Sequence, residues 1–178
     1  RYKQNIIEGR LRIKDKIYET HQFHSQLLNA LGFDGDHHQY NEPFHFSEKE
    51  VLPVRHKLYR GDKLHLLIME MQPLIKEGDE EPDGFFEQRY NIEEEEHESK
   101  EQRYHRVQWS RVFKISEELK ISPVIINKAI SELSLLDQKD RPQYILLLAG
   151  NKIFLVEVEK WFRGSYLQLD IEELFTEA

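Results

Sequence analysis

The stretch from Pro142 to Phe175, PQYILLLAGNKIFLVEVEKWFRGSYLQLDIEELF, decides the fold. Tyr144 to Ala149 is an apolar run with no polar alternation. That pattern belongs to a strand covered on both faces, and so to the interior of a sheet. Gly150-Asn151 follows, two residues that tolerate the positive φ of a tight hairpin, and Lys152 to Val158 returns as a second strand. Trp161, Phe162, Tyr166 and Leu167 add large apolar surface; each such side chain is worth roughly 1.5–3 kcal/mol when buried. Asp170, with Glu173 three residues on, reads as the N-cap of a further helix.

Working outward, two helices are expected before this hairpin. The first carries Trp109, Val112, Phe113, Ser116 and Leu119 on one face; Ser122-Pro123 then supplies an N-cap and an N1 proline for the second, with Ile126, Ala129, Ile130 and Leu133 inward. Further upstream lies another hairpin, with strands over 51–59 and 63–72 turning at Arg60-Gly61-Asp62. A helix over about residues 12–31 precedes it, with Ile17, His21, His24, Leu27, Leu28 and Leu31 on one face and Gly32 as its stop. This order predicts an α+β fold, a mixed central sheet flanked by helices, in a single domain spanning 1–178.

The formal charge is −8, but it is unevenly spread. Between Lys76 and Arg106 twelve acids face five bases, so the remainder of the chain is nearly neutral. Segment 76–106 reads as a flexible acidic insertion whose apolar knot is Gly84-Phe85-Phe86. An acidic chain argues against nonspecific nucleic-acid binding by charge alone. The absence of cysteine excludes disulfides and thiolate metal sites and fits a cytoplasmic setting. No apolar run reaches the ~18–20 residues that span a bilayer. Beginning at Arg1 rather than Met, and ending just inside an expected helix, the chain reads as a piece of a longer protein.

Three constellations could carry chemistry. Glu70 and Gln72 share one face at the end of the second hairpin strand, where oxygen ligands could hold Mg²⁺. The alternative is a strand-end carboxylate that pairs with a base. The chain is also rich in histidine, at His21, His24, His37, His38, His45, His56 and His65; His21 and His24, at i and i+3 on the first helix, could form a metal pair, but neither a Cys nor an HExxH pattern supports zinc, and no metal is expected. Residues 112–136 could form a helix-turn-helix with the following hairpin as a wing, exposing Asn127 and Lys128 to DNA. No P-loop, GxGxxG, GxSxG or Asn-Pro-Pro-Tyr-type motif is present.

Helix, hairpin, helix, strand, with Glu70 on the second hairpin strand, resembles the PD-(D/E)xK restriction-endonuclease fold. The resemblance implies an Asp earlier in the hairpin and a Lys where Gln72 stands. The nearby acids are instead Glu50 and Asp62, the latter in the turn. Glu70, Gln72 and Asp62 are therefore vestigial candidates, with an active Mg²⁺ nuclease as an alternative. Arg141 to Gly150, Lys160-Trp161, Tyr166-Leu167 and Asp170 to Phe175 resemble a second pattern. It is the N-terminal region of large bacterial adenine-specific DNA methyltransferases of restriction–modification and phage-defence systems (type IIG-like, BREX- and DISARM-associated). That resemblance implies a nuclease-like front module that assists DNA binding, with S-adenosylmethionine held in the parent protein downstream of Ala178 and no cofactor here.

Overall fold

The computed structural model describes residues 13–33, 43–71, 84–88, 90, 100–171 and 173. Helix α1 (Ile13–Ala30) comes first and ends at Gly32, whose φ of 83° lets the Phe33 N–H reach back to the Leu28 carbonyl at 2.9 Å. Three short strands, β1 (Phe44–His45), β2 (Glu50–Leu52) and β5 (Lys120–Ile121), make a small sheet in the order β1-β2-β5, with β2 and β5 parallel. Five strands make the main sheet in the order β3-β4-β6-β7-β8. They are β3 (Val54–Arg60), β4 (Lys63–Glu70), β6 (Tyr144–Ala149), β7 (Lys152–Glu157) and β8 (Tyr166–Asp170). Neighbours run antiparallel except β4 and β6, which are parallel and joined through α2 (Lys100–Val112) and α3 (Ile126–Ser134).

The apolar run at 144–149 is the middle strand of this sheet, as its lack of alternation demands. Its turn has Gly150 at φ 62° followed by Asn151 at negative φ, the primed geometry that matches strand twist. Alternate residues divide between two cores. Leu67, Met69, Ile145, Leu147, Phe154 and Val156 face α3, Trp109 and the small sheet. Ile68, Leu148 and Ile153 face Leu28 of α1. An α+β architecture with a mixed sheet between helices is therefore present.

Several boundaries differ from expectation. The strand expected over 51–59 is two strands in two sheets, because Pro53 lacks the N–H that would carry the ladder through. The helix expected to reach Leu119 stops at Val112, where Lys114 takes the left-handed conformation (φ 52°) and Ile115 N–H bonds the Ser110 carbonyl at 3.1 Å. Ser122-Pro123 caps nothing: Ile125 is the N-cap of α3, and Ser122 Oγ donates to Glu50 Oε2 at 2.8 Å. The helix-turn-helix with a wing is not formed, since β5 lies between the two helices and the β6–β7 hairpin is central in the main sheet. Asp170 closes β8 and accepts from Asn151 Nδ2 at 3.0 Å, while Ile171 and Glu173 are helical. In the acidic segment, Phe85 stacks on Phe154 at 4.0 Å, Phe86 sits among Trp161 and Tyr166, and Tyr90 is fully buried.

A buried ionic cluster as the candidate functional site

Glu70 is the last residue of β4, opposite Leu148 of β6, and its side chain is fully buried on the face that α1 covers. A carboxylate in such a place survives only with several partners. Arg55 supplies the first: its Nη1 donates to Glu70 Oε2 at 2.8 Å. Arg55 reaches that position because β3 carries an irregularity, Val54 pairing with Met69 but His56 with Ile68, so Arg55 is an extra residue in the strand. Bulges of this kind re-aim a side chain.

Helix α1 supplies the rest. His21, His24 and Ser25, at i, i+3 and i+4, share the helix face turned to the sheet. His24 Nδ1 lies 2.7 Å from Glu70 Oε1 and its Nε2 lies 2.8 Å from the Gly150 carbonyl. Both neighbours are oxygen acceptors, so satisfying both requires hydrogen on both ring nitrogens. His21 Nδ1 lies 2.9 Å from Glu70 Oε2 and 2.7 Å from Arg55 Nη1. With hydrogen on Nδ1 the ring donates to Glu70, and its bare Nε2, 3.1 Å from the same Arg55 nitrogen, accepts from the guanidinium, so one tautomer serves both partners. Arg55 Nη2 donates to Ser25 Oγ at 2.7 Å, and the hydroxyl donates to the His21 carbonyl at 3.0 Å. From the other side of the strand, Tyr90 donates its hydroxyl to the Glu70 carbonyl at 2.7 Å.

Burial drives the Glu70 carboxyl upward, but the charge of His24 and the hydrogen bonds from His21 and His24 outweigh it and hold the group at about 2. Tyr90 moves the other way: burial, then the Glu70 charge, raise its phenol well above the usual value. The cluster is thus a fixed anion ringed by donors.

The sequence candidates scatter. Glu70 is at the centre and is joined by His21 and His24; Gln72 lies outside the described residues. Asp62 is exposed in the β3–β4 turn, eight residues and roughly 26 Å along the strand from Glu70, with Lys139 Nζ at 4.0 Å. It is no partner for Glu70, which corrects the candidate set. Asn127 Nδ2 donates to Glu87 Oε1 at 3.3 Å at the start of α3, and Lys128 is exposed beside it. His37 and His38 lie outside the described residues, while His56 stacks on Phe33 and His65 meets Gln143 Oε1 at 2.9 Å. Arg55, Ser25 and Tyr90 were not singled out by the sequence. The one signal for Arg55 was a permanent cation directly after Pro53-Val54 in a strand whose partner is apolar.

The donor set does not fit Mg²⁺. Hard cations take several oxygens, whereas here a guanidinium and two imidazoles converge on a single carboxylate. Atoms facing one another at 2.7–2.9 Å are hydrogen-bonded to each other rather than arrayed around an ion. Among the described residues no group of three His, Asp or Glu side chains is disposed to hold a metal, and no helix is long and apolar enough to cross a membrane. A scan against protein-family models and searches of curated proteins and solved structures return no match to the chain.

Proposed function

We propose that the chain is a non-catalytic, restriction-endonuclease-like module that helps a DNA-modifying methyltransferase bind or position DNA. One observation carries the non-catalytic half: Arg55 lies on Glu70 inside the protein, with His21 and His24 on the same carboxylate. Metal-assisted phosphodiester hydrolysis needs carboxylate oxygens open to a divalent ion and its water. In this cluster the permanent charge of a guanidinium balances the carboxylate instead, and the cluster's role becomes the clamping of α1 to the sheet.

The order of elements supports the nuclease-like ancestry. A helix precedes an antiparallel hairpin, helices follow, and β6 returns parallel to β4, with Glu70 at the end of the second hairpin strand. The methyltransferase half rests on the residue pattern over 141–175. In that pattern Trp161 is packed in the larger core, while Tyr166 and Leu167 begin the terminal strand.

Incubation of supercoiled plasmid with the chain and Mg²⁺ or Mn²⁺ tests the first half. No nicking is expected. Nicking that requires the metal and vanishes in Glu70→Gln, with the fold retained, would make the chain an active nuclease instead. A gel shift on a short duplex at low salt tests the second, because binding that persists there and weakens with salt is the signature of phosphate contacts. No shift removes the DNA role. An Asn-Pro-Pro-Tyr-type core in the coding sequence after Ala178 would supply the methyltransferase.

A further inference from the structure

A cleft of about 230 Å³ opens where the β3–β4 turn meets the segment leading into β6. Arg60 and Lys63 line it from the two strand ends, Arg141 and Pro142 from the segment, and Glu159 from beyond β7. Leu64 and Pro142 are its buried lining residues; the others carry polar or charged side chains. Backbone hydrogen bonds brace the walls. The Leu64 N–H donates to the Lys139 carbonyl at 3.0 Å, the Gln143 N–H to the Leu64 carbonyl at 3.2 Å, and the Arg141 N–H to the Asp137 carbonyl at 2.8 Å. A cleft held in this way has little ordering left to do when it binds.

Its charges are arranged at a cost to the fold. Arg60 and Lys63 stand directly opposite each other across the hairpin. Opposed residues of a strand pair send their side chains to one face, with Cβ atoms roughly 5 Å apart, and like charges so placed destabilise the pair. Among the described residues neither side chain has an ion-pair partner. Arg141 reaches Glu159 Oε1 at 3.7 Å, longer than the roughly 2.7–2.9 Å of a charge-assisted hydrogen bond, and Glu159 is 73% exposed. The nearby Asp62 turns to Lys139, at 4.0 Å and outside the lining. Three cations against one carboxylate leave +2 in the lining, with His65 counted neutral, in a chain whose formal charge is −8.

We propose that this cleft binds a phosphate monoester group. Such a group carries about −1.5 to −2 near neutral pH and answers the +2 of the lining, where a carboxylate would leave one cation unmatched. The two guanidinium forks suit its oxygens, and Lys63 adds a compact point charge. The volume falls below the ~300–1,000 Å³ of pockets that enclose drug-sized ligands, so the cleft grips the phosphate and leaves its bearer outside. That bearer is either a small phosphate ester or the 5′ end of a DNA strand. The cleft lies at the opposite end of β4 from Glu70, and phosphate binding there does not depend on the DNA reading.

A chemical-shift titration of the full ¹⁵N-labelled chain with inorganic phosphate, set against chloride at matched ionic strength, tests it. Saturable shifts are expected at the amides of residues 61–65 and 139–141. Arg60→Gln and Arg141→Gln should each weaken binding by about tenfold. Lys63→Glu should abolish it while raising the thermal midpoint of the free protein, because it sets an opposite charge against Arg60. Loss of binding in a chain more stable than the native one distinguishes a binding site from a structural prop. Shifts that are absent, equal in chloride, or unchanged in Lys63→Glu overturn the proposal. A short duplex with and without a 5′-phosphate then separates the two bearers. Tighter binding of the phosphorylated duplex, lost in Lys63→Glu, assigns the DNA end; equal behaviour of the two duplexes assigns a small phosphate ester. A chain that takes phosphate but neither duplex removes the DNA reading and leaves this inference standing.

Discussion

At the scale of single residues, Glu70 is the group around which the buried ionic cluster is built. Its carboxyl sits at about 2 in the fold against 4.5 ordinarily. A depressed carboxyl contributes stability that is fully present above about 4.5 and is lost as pH falls through 2, an amount on the order of 3 kcal/mol. The groups facing it are His21, His24 and Arg55, with Tyr90 on its backbone. Urea midpoints followed from neutral pH down to about 2 should therefore fall for the native chain, and the Glu70 share of that fall should be missing in Glu70→Gln. At neutral pH the same variant should lose roughly 3–5 kcal/mol, because it strands the buried Arg55 charge. Arg55→Met combined with Glu70→Leu should cost less than Glu70→Gln alone, since it removes the permanent cation together with its carboxylate. Equal losses in the single and double variants would show that packing, not charge pairing, holds this cluster.

At the scale of elements, two short features redirect the chain. Pro53 moves it from the small sheet into the main one, and its carbonyl lies 3.5 Å from the Tyr90 hydroxyl. Lys114 ends α2 in a left-handed conformation that an L side chain enters at a cost of about 1–2 kcal/mol. Lys114 is exposed, so its side chain contributes little packing in return. Lys114→Gly should stabilise the protein by about 0.5–1 kcal/mol, allowing for the greater backbone freedom glycine loses on folding. A higher thermal midpoint with unchanged helix content is the expected reading. A lower midpoint would mean that the Lys114 side chain holds a contact the closing turn depends on.

At the scale of the whole molecule, the main sheet divides two hydrophobic clusters and belongs to both, because β4, β6 and β7 send alternate residues to each. Neither cluster can dissolve while the other keeps its strands. The two tryptophans, Trp109 on α2 and Trp161 after β7, lie in the same cluster with strands on either side. Tryptophan fluorescence and far-ultraviolet circular dichroism should therefore report one coincident unfolding transition. Two separate midpoints would show that the small sheet and α2 form a unit of their own.

The paired strands around Gly150, the amphipathic α1 and α3, and the α+β class are legible in the residues alone. Each rests on local periodicity and turn chemistry, which depend on neighbours a few positions away. Glu70 was legible as a conspicuous carboxylate at a strand end, and His21 and His24 as one helix face. What joined them was not. Arg55 reaches Glu70 through a bulge, Tyr90 arrives from within an acidic segment, and Gly150 offers its carbonyl from 126 residues away. A buried charge is tolerated only where several distant donors meet it, and that meeting is a property of how the strands are ordered. Sequence determined that a sheet would form and which strand would lie at its centre; the tertiary arrangement alone decided that the buried carboxylate of Glu70 would be met by a guanidinium.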